Sequence, residues 1–227
     1  MQKNKFPVFQ TSSSRLVLIM GPMFSGKTSS LISELTRYVD VDIPVIYINS
    51  ADDTRAEESY STHNSSYSKI SAKIKTCKVN KLMDLESSID SYGVLAIDES
   101  QFFSDLVPFA KLCLRMKKII YVAGLDGDAR QQIFGDLVNL IPYASEIRKL
   151  NAVCEQCKKR NLIVNAPFTI KHNRSCNEPG THEKKQIGGK DIYLPVCSDC
   201  LFESKSVCVQ KNATEFQDSL QSLNYVI

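Results

Sequence analysis

Eight residues, Gly21-Pro-Met-Phe-Ser-Gly26-Lys27-Thr28, fit G-x-x-x-x-G-K-[ST] in full, and no other stretch limits the possible folds as much. The pattern works where a strand hands over to a helix. Glycines let successive backbone N–H groups wrap a phosphate, and the helix N-terminus adds the positive end of its dipole. Both flanks are present. Arg15-Leu-Val-Leu-Ile-Met20 is an apolar run of the kind found in buried parallel strands, and the stretch from Thr28 to Tyr38 carries Leu31, Leu35 and Tyr38 on one helical face. The loop residues Gly21, Pro22, Met23, Phe24, Ser25 and Gly26 are expected to form the phosphate cradle. Lys27 is expected to reach the β- and γ-phosphates, and the Thr28 hydroxyl to ligate Mg²⁺. A chance match in a glycine-bearing turn would lack this strand-to-helix context.

The same rhythm continues downstream. Pro44–Ile48 reads as a strand, residues 49–68 as a long polar loop, and residues 80–90 as a helix. Gly93–Ile97 is a buried strand, Asp105–Lys117 a helix and Lys118–Ala123 another strand. Strands alternating with helices predict a parallel α/β sheet covered on both faces, with ligands outside the carboxyl ends of the strands. Asp98 and Glu99 close one of those strands. An Asp at such a place holds Mg²⁺ in P-loop proteins, and a second acid beside it can act as a general base toward a phosphate acceptor. Without the P-loop, the pair would read as two solvated acids.

From about Asn151 cysteine pairs, glycines and charged stretches replace the rhythm, which predicts four parts. Residues 1–14 form a loose tail, 15–150 a P-loop domain, 151–202 a zinc-ribbon domain and 203–227 a second tail containing a short helix around Glu215–Leu223. Cys154-x-x-Cys157 and Cys197-x-x-Cys200 supply four thiolates, suited to tetrahedral Zn²⁺ with no open position and therefore structural. The stretch between the knuckles exceeds the usual ribbon gap, so a large loop must bulge from it. His172 and His182 in that loop read as surface residues. Cys113 lies in an apolar helical pattern and reads as core; Cys77, Cys176 and Cys208 receive no role.

Bulk properties exclude other classes. A formal charge of +3 with no basic block argues against a nucleic-acid partner, and no apolar run reaches the roughly 18 residues of a membrane span. The first residues, MQKNKFPVFQTSSS, lack the apolar stretch of a secretory signal, so a cytoplasmic protein is expected.

Together these pieces resemble the thymidine kinase family that carries a structural zinc, over roughly residues 15–202. GPMFSGKT is close to that family's P-loop, and IDESQFF at Ile97–Phe103 to its second motif, in which the residue matching Glu99 is the catalytic base. Asp53-Thr-Arg55 with Thr62-His63 resembles a segment on the phosphate-donor side. Leu125-Asp-Gly and Phe134-Gly135 resemble the stretch lining the nucleoside pocket. Ile187-Gly188-Gly-Lys-Asp-Ile-Tyr193 resembles part of a lasso loop that closes on the base.

The resemblance implies a P-loop core with a zinc-anchored lasso, ATP with Mg²⁺, and thymidine as acceptor with deoxyuridine second. It also implies a homotetramer or homodimer. By the same token Asp53, Arg55, Asp98 and Gln101 join the nucleotide contacts, with Arg55 beside Lys27 on the equatorial oxygens. Met23, Phe102, Leu125, Ala129, Phe134, Ile187, Gly188 and Tyr193 line the nucleoside site. The chain departs from the family in three places: Ala129 stands where a Phe is usual, a stretch around residues 160–183 lengthens the lasso, and Glu183 and Lys185 replace apolar residues. A P-loop ATPase gripping nucleic acid through its zinc ribbon is the rival reading, and the lack of a Lys/Arg stripe counts against it.

Overall fold

The apolar run beginning at Arg15 has no polar side chain after its first residue, so a strand made from it must be covered on both faces. The computed structural model, which describes residues 12–53, 74–171 and 192–203, places it in the interior of a six-stranded sheet. The strands are β1 (Arg15–Met20), β2 (Val45–Ser50), β3 (Lys75–Val79), β4 (Val94–Ile97), β5 (Ile119–Gly124) and β6 (Glu146–Lys149). They lie in the order β3-β2-β4-β5-β1-β6, and every pairing is parallel.

The two-residue period of a strand divides the core. Leu16, Leu18 and Met20 pack with helix α2 (Leu106–Arg115) through Phe109, Ala110 and Cys113. Val17 and Ile19 pack on the other face with helix α1 (Lys27–Val39) through Leu31, Ile32 and Leu35. Helices thus cover both faces, as the sequence predicts. Burial pushes the Cys113 thiol up to about 12, which suits its core role.

Some elements differ from the sequence reading. The segment expected as an α-helix over 80–90 is a 3₁₀-helix, Leu82–Ser91. The Ser88 hydroxyl competes for a backbone group, donating to the Leu85 carbonyl at 2.9 Å. Strands β3 and β6, read as KTCKV and EIRK, carry no apolar run because both are sheet edges. Asn49 and Ser50, expected in the long loop, extend β2 instead. The rest of that loop from residue 54 and the helix expected around Glu215 lie outside the described residues. None of the described helices is long and apolar enough to cross a membrane.

Edge strand β6 is tied down by charge. Arg148 contacts Glu34 of α1 and Glu146 at 2.5 Å each, and Arg15 pairs with Glu146. Burial raises the Glu34 carboxyl, but Arg148, the Tyr121 hydroxyl and Arg37 outweigh it and hold the group below its usual value. Glu146 is likewise lowered, first by its hydrogen bond from Arg148. A depressed carboxylate contributes stability that is present above the unfolded pKa of about 4.3 and lost as pH falls through the folded value. Arg148→Met is therefore expected to cost roughly 1–2 kcal/mol at pH 7, a range discounted for partial exposure. Thermal unfolding from pH 7 to 3 checks this. The gap to wild type closes in acid; a gap that persists at pH 3 would assign the loss to packing.

The C-terminal part is organised around cysteine. Strands β7 (Ala152–Val153) and β8 (Asn165–Ala166) form one antiparallel pair, and β9 (Phe168–Lys171) and β10 (Tyr193–Val196) another. Between β7 and β8, the single turn α3 (Glu155–Lys158) follows Cys154. Cys154, Cys157, Cys197 and Cys200 form a separate core with Ala166, Ile170, Val196 and Leu201.

Candidate active site

The P-loop leaves the end of β1 and enters α1 through backbone that favours glycine. Gly21 has φ +149° and passes so close to the Leu150 carbonyl that a Cβ would lie 2.4 Å from its oxygen. Gly26, at φ +80°, caps α1 in the left-handed region. Lys27 is buried and donates to the Pro22 carbonyl at 2.7 Å, and the Ser25 hydroxyl donates to the same oxygen at 2.9 Å. Met23 sends its backbone N–H elsewhere, to Thr169 Oγ1 on β9 at 2.9 Å.

Sheet order brings the acids to this loop. Thr28 Oγ1 donates to Asp98 Oδ2 at 2.7 Å, the Tyr47 hydroxyl donates to the same oxygen at 2.6 Å, and Glu99 N donates to Oδ1 at 2.9 Å. Burial raises the Asp98 carboxyl above its usual value and neighbouring Glu99 adds to the rise; the hydrogen bonds from Tyr47, Thr28 and Glu99 N pull the other way. Thr28 in the first turn of α1 and Asp98 at the end of β4 thus present adjacent hard oxygen donors, which fits a divalent cation such as Mg²⁺.

Glu99 itself has φ +47°, a conformation that few side chains adopt and that is often found where function requires it. Gln101 Nε2 donates to Glu99 Oε2 at 2.6 Å, and Gln101 Oε1 accepts from Leu125 N at 3.0 Å. The sequence grouped Gln101 with the nucleotide contacts; its side chain spans Glu99 and Leu125. Phe102 and Phe134 meet edge to face, with ring centroids 6.2 Å apart. Ala129 is half-buried, and its carbonyl accepts from Gln131 Nε2 at 3.0 Å. The same amide reaches the Thr169 carbonyl at 3.3 Å, so the loop holding Leu125 and Ala129 also touches β9.

Asp53 is buried just past β2, where Asn49 Nδ2 reaches its carboxylate at 3.4 Å. Phe24 is exposed on the P-loop, and Tyr193 begins β10 opposite Lys171. Arg55, Thr62, His63, Ile187 and Gly188 lie outside the described residues. Sequence reasoning passed over Tyr47, whose ring is a lone aromatic in the run VIYINS; a hydroxyl inside a buried strand beside the one carrying Asp98 was the available signal.

In the cysteine cluster all four sulfurs lie within 4.8 Å of one another and are buried. Zn–S bonds of about 2.3 Å in a tetrahedron require sulfurs about 3.8 Å apart. Cys157 Sγ is 3.7 Å from Cys197 Sγ and 3.6 Å from Cys200 Sγ, so the cluster fits that ion. Burial would raise the Cys154 thiol, but hydrogen bonds from Cys157 and Cys197 bring it down to about 7, toward the thiolate a metal needs. Arg160 donates to Cys200 Sγ at 3.1 Å.

A parallel sheet with this loop after β1 and an acid pair after β4 defines a P-loop protein, here with a four-cysteine ribbon. The family model described as thymidine kinase matches residues 14–201. The thymidine kinase of vaccinia virus strain Western Reserve is 33% identical over 193 residues, covering 85% of this chain and 99% of its own. That of Amsacta moorei entomopoxvirus is 35% identical, covering 81% and 95%. The cytosolic thymidine kinase of Cricetulus griseus is 33% identical, covering 85% and 75%. The chain belongs to the thymidine kinase family, and it is a phosphotransferase.

Proposed function

We propose that the enzyme moves the γ-phosphate of ATP to the 5′-hydroxyl of thymidine, and of deoxyuridine as a second acceptor, giving the monophosphate in pyrimidine salvage. The observation that carries this reading is the line Thr28–Asp98–Glu99, in which the first helical hydroxyl of the P-loop meets an acid whose neighbour faces the loop at Leu125 through Gln101. Glu99 takes the proton of the 5′-hydroxyl as its oxygen attacks the γ-phosphorus in line and ADP leaves. Lys27 and Arg55 stabilise charge on the equatorial oxygens, and Asp53 joins the contacts on the phosphate-donor side. Thr28 and Asp98 would hold Mg²⁺, which neutralises phosphate charge when bound.

The four cysteines would hold a structural zinc. The ribbon, 151–202, then anchors the lasso, and Ile187, Gly188 and Tyr193 close on the base. Met23, Phe102, Leu125 and Phe134 line the apolar slot.

The reading is tested by incubating the protein with γ-labelled ATP across a panel of nucleosides. Labelled thymidine monophosphate supports it; free phosphate that rises with added DNA supports the ATPase reading instead. Ala129 leaves that slot less filled than a phenylalanine would. Ala129→Phe is expected to gain about 1–2 kcal/mol of apolar contact, lowering the KM for thymidine by roughly 5- to 30-fold. A higher KM would mean that other residues already occupy the space.

A further inference from the structure

Gln101 is only 3% exposed, yet both ends of its amide are in use. A carboxylate only accepts and a backbone N–H only donates, so the bonds to Glu99 Oε2 and Leu125 N fix which end is which. Two glycines are shaped to the residue. A Cβ on Gly124 would come within 2.9 Å of Gln101 Oε1 and 2.3 Å of Ser100 Oγ. A Cβ on Gly135, at φ +69°, would come within 2.6 Å of both Cα and the carbonyl oxygen of Gln101. The ends of β4 and β5 and the Phe134-Gly135 segment therefore close on one residue.

We propose that Gln101 is a positioning residue, which holds the Glu99 carboxylate toward the acceptor and couples it to the backbone of the nucleoside-pocket loop at Leu125. The proposal rests on the reading of Glu99 as the general base. Orientation of a base matters because a misplacement of about 1 Å can cost on the order of 100-fold in rate. The bond to Leu125 places the carboxylate in the same frame as the pocket that receives the nucleoside.

Two variants probe the two bonds. Gln101→Glu keeps an acceptor for Leu125 N but sets a second carboxyl against Glu99, so that the pair shares a proton and the base is blocked near neutral pH; Gln101→Met loses both bonds at similar volume. Each is combined with Glu99→Gln in a double-mutant cycle, with kcat, thymidine KM and affinity for a non-hydrolysable ATP analogue measured on every protein. The expected result is a 10- to 100-fold loss of kcat for both single variants. Thymidine KM and ATP-analogue affinity stay within about threefold, and the Glu99→Gln background shows no further loss. Wild-type kcat in the Gln101 variants would overturn the proposal. So would a loss that persists in full in the Glu99→Gln background, or a loss of ATP-analogue binding, because either marks Gln101 as a residue of the fold. If Glu99→Gln alone keeps wild-type kcat, the reading of Glu99 has failed and the proposal falls with it; if only the Gln101 variants keep it, that reading stands.

Discussion

Exchanging Glu99 for glutamine is expected to lower turnover by about 10²–10⁴-fold, the usual contribution of a general base. Glutamine has the same shape and keeps an oxygen that can accept from Gln101 Nε2, so the turn Ser100–Phe102 has no reason to move. The Glu99 N–H bond to Asp98 Oδ1 is a backbone contact and survives the exchange. What is lost is the basicity of the carboxylate together with its charge. Affinity for a non-hydrolysable ATP analogue is therefore expected to stay near wild type, because Lys27, Thr28 and Asp98 are untouched. Single-turnover measurement of phosphate transfer separates the chemical step from product release. A variant that keeps most of its kcat would remove Glu99 from the mechanism.

The second large effect is expected at the ribbon. Replacing Cys197 by serine, or treating the protein with a strong chelator, would remove the cross-link that zinc held by the four cysteines would make between two short antiparallel pairs. Their own core consists largely of the four cysteines and a handful of apolar residues. Ordering a residue costs roughly 1–2 kcal/mol, so a few newly disordered positions are enough to remove micromolar affinity for a nucleoside. Thymidine phosphorylation at fixed substrate is expected to fall more than about 100-fold.

From sequence alone the P-loop looks independent of the ribbon. The structure joins them through Met23 N and Thr169 Oγ1, so loss of the ribbon also deprives the loop of one hydrogen bond. A single such bond is worth about 0.5–1.5 kcal/mol, which predicts roughly a 2- to 10-fold weakening of ATP binding. Titration with an ATP analogue beside a thymidine assay on the same sample measures both numbers. Normal phosphorylation by metal-free protein would show that the ribbon does not clamp the nucleoside. Complete loss of ATP binding would show that it supports the whole fold.

Legibility followed how local the chemistry is. The P-loop could be read because its glycines, Lys27 and Thr28 serve one purpose within eight consecutive residues. The four cysteines could be read because two short knuckles carry a spacing that few other functions require. Tyr47 and Gln131 could not, since their hydrogen bonds join segments that only the fold brings together. The edge strands escaped for a different reason. Glu146-Ile-Arg-Lys149 contains one apolar residue, and it is strand pairing with β1 and the Arg148 ion pairs that hold it extended. The 3₁₀-helix over Leu82–Ser91 in place of an α-helix goes with the Ser88 hydroxyl bonding the Leu85 carbonyl, an effect that apolar periodicity does not register.

Strand pairing sets limits on where the length of such a chain can vary. Ile97 lies opposite Val122, and Val122 opposite Leu18, so β4 and β1 are held level with β5 as the spacer between them. One residue inserted into β5 would slide one end against the other by about 3.3 Å and turn the following side chains to the opposite face. Phosphoryl transfer needs reacting atoms within about 3–3.5 Å, so a slip of that size separates donor from acceptor. Connecting segments have far more latitude, because doubling a flexible loop costs only about 0.6 kcal/mol in closure entropy. Added length belongs in the connections between strands, where it leaves that register untouched. Within β1, β4 and β5 the spacing that sets Thr28 of the P-loop against Asp98 admits no spare residue.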